Sequence, residues 1–248
     1  MGTSLAAMGL DPTPITNLTD PQTVKEITRQ YIDAGADIIE TATFSATSLK
    51  YGKEYARINR RAVRIATQAV KESGRKVRVA GGLGPTGMMV KPVGKLDFEE
   101  AVSVFKKQLH ILAGEGVDLF IIETMDDISE MRAALIAVLE TCPDIPVIAT
   151  MTFSENERTS TGTPPEAAAK VMESLGADVI GVNCSFGPDM LVNIIRRMRR
   201  VTKKPLIAQA NAGIPMMIKG KPRYSLGPEE YLNHARKLVK AGASYIGG

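Results

Sequence analysis

The sequence has few of the residues and runs that several familiar protein classes require. Its 248 residues include only two cysteines, Cys142 and Cys184, which cannot form a disulfide framework and fit a reducing cytoplasm. No apolar run approaches the roughly 18 residues of a membrane span. The N-terminus also lacks the basic segment that begins a signal peptide. We therefore predict a cytoplasmic protein that does not enter a membrane.

Histidines, strand-end lysines and nucleotide-binding motifs are also scarce or absent. The two histidines, His110 and His234, fall within helical patterns, which argues against a Ser-His-Asp triad or a histidine metal cage. No lysine closes a predicted strand, so a Schiff-base aldolase is disfavoured. A P-loop and a dinucleotide fingerprint are both missing. The net charge is only +4. The basic run at 196–200 continues a helical pattern without interleaved aromatics, which argues against nucleic-acid binding.

The sequence does contain a regular alternation of short apolar runs and amphipathic stretches. The runs are rich in Val, Ile, Leu and Ala without strict alternation, as expected for strands that are buried on both faces. The predicted strands are Asp37–Phe44, Val77–Gly84, Asp118–Met125, Pro146–Phe153, Asp178–Ser185, Pro205–Asn211 and Ser244–Gly248.

Amphipathic patterns between these runs predict helices, and several have recognisable ends. The predicted helices are Pro21–Ala34, Thr47–Ser73 (long enough for two), Leu96–Gly114, Asp127–Thr141, Pro165–Leu175, Pro188–Val201 and Pro228–Ala241. Asp127 and Glu130 resemble a capping box. Four helices end in a repeated hinge of small residues and Gly, at 34–37, 114–118, 175–178 and 241–244, which places Gly at the helix C-cap and leads into a strand.

Seven such units at spacings of roughly 30 to 40 residues predict an α/β fold, specifically a closed parallel (β/α)8 barrel in one domain, residues 1–248. A doubly wound open sheet is the structural alternative. The stretch Met1-Gly2-Thr3 is typical of the loop after a first strand. The barrel is thus expected to be trimmed at its first strand and its last helix.

The active site of such a barrel forms at the C-terminal ends of its strands. These ends are mostly polar here, and a buried polar group without a partner costs on the order of 1–3 kcal/mol, so they should bond one another, water or a ligand. The polar or glycine-rich strand ends are Glu40, Thr41, Thr43, Gly81–Gly84, Glu123, Thr124, Thr150, Thr152, Asn183, Cys184, Ser185, Gln209, Asn211 and Gly247-Gly248.

Single strand ends leave more than one interpretation open. Glu123 closes a buried strand and needs a cation: either a substrate ammonium or a nearby Arg or Lys. Cys184 taken alone is more typical of a small buried hydrophobe than of a ligand or nucleophile, and Cys142, at a helix end, is expected to be inert. The glycine-rich stretch at 81–87 fits a tight turn or a close ligand approach. Gly247-Gly248 fits a phosphate cradle or barrel-rim packing.

Taken together and in order, the strand ends resemble those of the homocysteine S-methyltransferase family, and most of all its homocysteine-binding barrel in cobalamin-dependent enzymes. The stretches that carry the resemblance are Met1-Gly2-Thr3, residues 35–44 (GADIIETATF), Gly84-Pro85-Thr86-Gly87, Glu123-Thr124, Met151-Thr152-Phe153, Thr161-Gly162-Thr163, residues 181–188 (GVNCSFGP), residues 211–215 (NAGIP) and Ile246-Gly247-Gly248.

The resemblance implies transfer of a methyl group to the homocysteine thiolate, which gives methionine. It also implies a zinc ion held by three cysteine thiolates, with a fourth position open to the substrate sulfur. Cys184 matches the first zinc cysteine. The other two are expected directly after Gly248 and are absent from this sequence.

The family's substrate-binding residues carry over position by position. Glu123 matches the residue that binds the homocysteine ammonium, and Asn183 and Asn211 match pocket residues. Thr43, Thr152 and Gly2 are weaker substrate-binding candidates. The sequence departs from the family pattern at Ala42, where Asn is common. It also departs at the N-terminus, where an Asp-Gly pair that helps to hold the amino acid is missing.

The methyl donor and even the catalytic status stay open at this point. Methylcobalamin, charged from methyltetrahydrofolate and delivered by a corrinoid-carrying domain or protein, is favoured. Betaine, S-methylmethionine or a corrinoid-linked reaction on another thiol are alternatives. A zinc-free amino-acid-binding barrel and a phosphate-binding barrel enzyme are the rivals from other classes.

Overall fold

The structure is a computed structural model that describes residues 2–185, 187–213, 216–218 and 221–248, with the backbone alone for 216–218 and 221–223. Of the stretches quoted above, Met1, Phe186, Ile214 and Pro215 lie outside the described residues. The chain forms two compact units. The first comprises Met1–Ile121 and Ile136–Pro146, and the second comprises Ile122–Leu135 and Val147–Gly248.

The first unit contains helices that surround the beginning of the sheet. Its helices are α1 (Gly2–Ala7), α2 (Thr16–Thr19), α3 (Pro21–Asp33), α4 (Ser48–Tyr51), α5 (Tyr55–Ser73) and α6 (Phe98–Gly114). Its strands are β1 (Ile38–Glu40), β2 (Arg78–Leu83) and the first half of β3 (Leu119–Met125). A small core cluster of Leu5, Val24, Ile27 and Ile65 joins α1, α3 and α5.

The second unit continues the same alternation. It begins with the second half of β3 and most of α7 (Ile128–Thr141), whose last turns belong to the first unit. It continues with β4 (Val147–Met151), α8 (Pro165–Ser174), β5 (Val179–Cys184), α9 (Pro188–Arg199), β6 (Leu206–Ala210), β7 (Met216–Ile218), β8 (Lys221–Arg223), α10 (Pro228–Ala241) and β9 (Tyr245–Gly247).

The strands follow one another in chain order within each unit. In the first unit β1 pairs with β2 in parallel, Ile39 opposite Val79. In the second, β4, β5, β6 and β9 are parallel neighbours, with Cys184 opposite Ala210 and Gln209 opposite Gly247. This register brings the carboxyl ends of β5, β6 and β9 to one edge of the sheet. β7 and β8 form a separate antiparallel hairpin.

The repeated hinge between helices and strands is built as its glycines predict. Gly35, Gly116, Gly176 and Gly242 all have positive φ, which glycine adopts without a steric cost. The Asp that closes two of these hinges has a role that the pattern did not reveal. Asp118 accepts a hydrogen bond from Val79 N at 2.7 Å, and Asp178 accepts one from Val147 N at 2.8 Å. Each carboxylate therefore satisfies an amide at the start of the preceding strand, Val79 in β2 and Val147 in β4.

Most predicted elements are present, with shorter strands than the apolar runs suggested. β1 covers three residues of the predicted Asp37–Phe44, because Thr41 and Thr43 turn out of the strand to bond each other and β2. The stretch Thr47–Ser73 breaks at Gly52, whose φ is +48°, and forms two helices around a 3-10 turn. Asp127 caps α7 by accepting from Ser129 N at 2.9 Å.

Two features differ from the sequence predictions. The interpretation of Met1-Gly2-Thr3 as a loop was wrong for its described part, because Gly2 and Thr3 begin α1, a helix in which Leu5 is buried in the core. The β7–β8 hairpin was not predicted, since its runs of three residues are too short to show a strand pattern. Among the described helices, none is both long and apolar enough to cross a membrane.

Candidate active site

The Asn183 side chain joins the ends of three strands in the second unit. Its Oδ1 accepts hydrogen bonds from Thr124 N at 2.8 Å and from Thr150 Oγ1 at 2.9 Å. Its Nδ2 lies 2.6 Å from Thr124 Oγ1, 3.4 Å from Glu123 Oε2 and 3.5 Å from Cys184 Sγ. Asn183 is 1% exposed, whereas Glu123 and Cys184 are half-buried and reach the surface of the site. The Asn183 amide therefore links Glu123, the carboxylate predicted to bind the substrate, to Cys184, the thiol predicted to bind the metal.

Left-handed backbone marks the same strand ends. Thr124, Cys184 and Ser185 have φ values of +59°, +51° and +62°, a region that residues with a Cβ rarely adopt. Such conformations cost on the order of 1–3 kcal/mol each and persist where surrounding contacts hold them. The bond that Thr124 N donates to Asn183 Oδ1 provides that support for Thr124, and the bond that Phe153 N donates to Ser185 Oγ provides it for Ser185.

The hydroxyl of Ser185 ties the connection after β4 to the end of β5. It accepts a hydrogen bond from Phe153 N at 2.9 Å and lies 3.0 Å from Thr152 Oγ1. Thr152 and Ser185 are both half-buried. Thr152 thus lies beside Ser185 at these strand ends, and its role in substrate binding stays a prediction.

An arginine on α9 fixes the rest of the connection between β4 and α8. Arg197 donates two hydrogen bonds of 2.7 Å to Glu166 and one of 2.6 Å to Glu157. Hydrogen bonds from Asn193 and Arg197 lower the pKa of Glu157, and those from Arg197 lower the pKa of Glu166. Both carboxylates are therefore ionised at neutral pH, and they hold the segment that begins with Thr152 against α9.

A tyrosine that the sequence interpretation missed braces the neighbouring strand ends. Tyr231 Oη, on α10, lies 3.0 Å from the Ala210 carbonyl oxygen and 2.8 Å from that of Gly247. Burial raises the pKa of this phenol, which stays protonated and able to donate. Asn211 follows Ala210 directly and is half-buried. A Cβ on Gly248 would meet Tyr231 Oη at 2.5 Å and Ala210 O at 2.6 Å. A glycine is therefore required at 248.

Two predicted substrate-binding residues, Thr43 and Gly2, lie in the first unit. Thr43 is fully buried, and its hydroxyl donates to Gly82 O at 2.7 Å while Thr41 Oγ1 lies 2.7 Å from it. This arrangement stabilises the β1–β2 pair. Gly2 is half-buried in α1. The role of both in substrate binding stays a prediction.

The described cysteines do not by themselves make a zinc site. Cys184 lies half-buried at the carboxyl end of β5, and the described residues contain no group of three His, Cys, Asp or Glu side chains that could hold a metal ion. Cys142 lies at the end of α7, where burial raises its pKa and keeps its thiol protonated. The residues that are present thus supply one of the three thiolates that the resemblance implies.

A thiol, a carboxylate and a buried amide at the carboxyl ends of parallel strands define an α/β protein with a polar site at its strand ends. The model of the homocysteine S-methyltransferase family matches residues 1–248, and the chain belongs to this family of methyltransferases.

Known proteins similar to this chain support the same assignment. It is 28% identical over 247 residues to a methionine synthase of Mycobacterium tuberculosis and 27% identical to one of Mycobacterium leprae, in each case over 94% of this chain. The chain spans only about a fifth of the length of these relatives, 21% and 20%.

A solved structure confirms the fold class. The metallated form of the homocysteine methyltransferase MmuM from Escherichia coli matches 100% of this chain and 88% of its own, with a TM-score of 0.83 and 21% sequence identity. At that identity the likeness concerns the fold, and it confirms the predicted (β/α) barrel class.

Proposed function

We propose that this domain transfers a methyl group to the thiolate of homocysteine and so forms methionine. The observation that carries the proposal is the Asn183 network, in which one buried amide bonds both Glu123 and Cys184. Membership of the homocysteine S-methyltransferase family and the similarity to methionine synthases support the choice of substrate and product.

The chain's own residues account for binding and orientation of the amino acid. The half-buried Glu123 carboxylate offers an anionic partner to the substrate ammonium, and such charge-assisted bonds are about twice as strong as neutral ones. Asn183 holds that carboxylate in place through its Nδ2. In the reaction the substrate sulfur loses its proton and forms a bond to the methyl carbon, while the donor leaves with the electron pair of the broken bond.

We further propose that Cys184 is one ligand of a zinc ion, which when bound would stabilise the substrate sulfur as a thiolate. The two other ligands are expected among residues that follow Gly248 in a longer chain. The strand register supports this placement: Cys184 lies opposite Ala210, and Gly247 lies opposite Gln209. Residues just beyond Gly247 are therefore level with Cys184 across one intervening strand, or roughly 10 Å away at the usual strand spacing.

Methylcobalamin is the proposed donor, delivered by a corrinoid-carrying domain or protein in the cytoplasm. The names of the mycobacterial relatives support a methionine synthase reaction, but the chain matches only a fifth of them. Betaine and S-methylmethionine are the alternative donors, and a corrinoid-linked reaction on a thiol other than homocysteine is the alternative acceptor. Supplying each donor and thiol in turn to the same preparation distinguishes these reactions.

The first test measures bound zinc and methionine formation in the full-length protein that contains this domain. We expect one zinc per chain, and we expect Cys184→Ser to lose both the metal and methyl transfer. The matched control, Cys142→Ser, should retain both because that thiol lies at a helix end. If Cys184→Ser keeps its zinc and its activity, the assignment of Cys184 is wrong. If binding of homocysteine persists without any zinc or turnover, the domain is an amino-acid-binding barrel.

The second test concerns the carboxylate. Glu123→Gln removes the charge that faces the substrate ammonium, and we expect the Kd for homocysteine to rise by about 10- to 100-fold. Glu155→Gln, an exposed carboxylate in the β4–α8 connection, is the control and should leave the Kd within twofold. Calorimetric titration of both variants checks this, and an unchanged Kd for Glu123→Gln would remove Glu123 from the binding site.

A further inference from the structure

The first unit carries a cavity with a different chemistry, which is independent of the proposed methyl transfer. An open cavity of about 420 Å³ is lined by four arginines of α5 and by two apolar residues that precede and begin α3. The lining residues are Arg57, Arg60, Arg61, Arg64, Leu18 and Pro21. Because the arginines are spaced by three, four and seven residues along the helix, their side chains emerge on one face.

A largely buried carboxylate orients part of this arginine wall. Glu115, just beyond the end of α6, has a side chain that is only 17% exposed, and it accepts two hydrogen bonds from Arg64 at 2.8 and 3.1 Å. It also lies 3.7 Å from Arg60 Nε. The pKa of Arg64 is raised by these contacts with Glu115. Glu115 thus orients the Arg64 guanidinium by two hydrogen bonds and attracts that of Arg60, while both arginine side chains stay more than half exposed.

The remaining two arginines are less engaged. Arg57 makes an exposed contact of 3.4 Å with Glu54, and Arg61 makes no hydrogen bond or ion pair with any residue that the structure describes. Four guanidinium groups face two carboxylates, which leaves an excess of two positive charges beside an apolar edge formed by Leu18 and Pro21.

We propose that this cavity binds an organic phosphate, a phosphate monoester whose apolar group packs on Leu18 and Pro21. The guanidinium fork matches phosphate oxygens in a bidentate manner, and a monoester carries close to two negative charges near pH 7.5. The ligand chemistry therefore matches both the charge and the mixed lining of the cavity.

The test uses phenyl phosphate as the probe and inorganic phosphate for comparison, in calorimetric titrations of the domain at low and physiological salt. We expect saturable binding of one phenyl phosphate per chain, at least threefold tighter than that of inorganic phosphate because the ring contacts the apolar edge. Equal affinities for the two probes would exclude an organic ester as the ligand class. Absence of saturation at physiological salt would overturn the site.

Matched variants distinguish specific binding of phosphate in this cavity from non-specific electrostatic attraction to the positively charged protein. Arg57→Gln with Arg61→Gln should weaken phenyl phosphate binding by about tenfold. Arg196→Gln with Arg236→Gln, two exposed helix arginines of the second unit, removes the same charge and should leave the affinity within twofold. Equal losses in both double variants would mean non-specific charge attraction and would refute the proposal. Circular dichroism confirms that each variant is folded.

Discussion

The side chain of Asn183 holds the ends of β3, β4 and β5 together, so its loss should be felt in stability as well as in binding. Asn183→Ala leaves the Thr124 amide and the Thr150 hydroxyl, both bonded to Asn183 Oδ1, without that acceptor in a buried setting. We expect the free energy of unfolding in urea to fall by about 2–4 kcal/mol.

The control for this substitution is Asn233→Ala, on the exposed face of α10, which should change the free energy of unfolding by less than about 0.5 kcal/mol. A loss of similar size in both variants would show that the buried amide has no special role. The Kd of Asn183→Ala for homocysteine, measured under conditions where this variant remains folded, reports separately on the contact between Asn183 Nδ2 and the Glu123 carboxylate.

Individual site residues were predictable where a polar residue closes an apolar run. Glu123, Asn183 and Cys184 all follow that pattern, and the structure brings them together. Tyr231 was not predictable, because an aromatic residue on an amphipathic helix is expected in the core and only the three-dimensional path of β6 and β9 places carbonyl groups near its hydroxyl. The hydrogen bond from the Thr43 hydroxyl to Gly82 O in the neighbouring strand β2 was likewise not predictable, because it too depends on strand pairing.

Helix α10 contacts the ends of β6 and β9 through the Tyr231 hydroxyl, and removing that one oxygen atom tests the contact. Tyr231→Phe removes the hydroxyl that lies between the Ala210 and Gly247 carbonyl groups. We expect a loss of about 1 kcal/mol in the free energy of unfolding. Relative to the wild type, amide hydrogen exchange should become faster in β9 and change less in β4. Tyr224→Phe, at an exposed tyrosine, is the comparison. Unchanged exchange in β9 would show that the strand does not depend on this bond.

The ion pairs between α9 and the β4–α8 connection should make the stability depend on pH. The pKa values of Glu157 and Glu166 are lowered in the folded chain, so their contribution is present above the ordinary carboxyl value of about 4.3 and is lost as the pH falls through the lowered values. Arg197→Gln should therefore cost about 1 kcal/mol at pH 7 and progressively less below about pH 4.

Urea unfolding of Arg197→Gln and of the wild type across pH 3–7 measures this difference. For the control Arg196→Gln, at the exposed neighbouring position, the free energy of unfolding should follow that of the wild type across this pH range. A cost for Arg197→Gln that stays constant down to pH 3 would mean that the two carboxylates do not titrate with the network.

The helices were predicted more accurately than the strands because caps and glycines mark their ends. The predicted α10 agrees with the observed Pro228–Ala241 in both bounds. Strand ends are set instead by long-range pairing: β1 stops at Glu40, and beyond it the Thr41 and Thr43 hydroxyls, rather than the regular backbone ladder, bond Gly82 of β2. No local pattern in the sequence carries that information.

The chain crosses between its two compact units three times: in the middle of β3, in the middle of α7 and just before β4. Neither unit is therefore a continuous segment, and melting either one breaks a strand and a helix that the other also uses. We expect a single cooperative unfolding transition. Hydrogen exchange in urea should give the same midpoint for β2 and for β5. A lower midpoint for one of them would show that the units unfold separately.

The hinge carboxylates Asp118 and Asp178 have a consequence for the order of folding. Each bonds an amide at the start of the strand before it, so Val79 and Val147 gain their partner only when the next hinge has been made. At these two hinges the start of one strand is therefore completed by the repeat that follows it along the chain. The two bonds span 39 and 31 residues of sequence, so each depends on the neighbouring strand connection being in place.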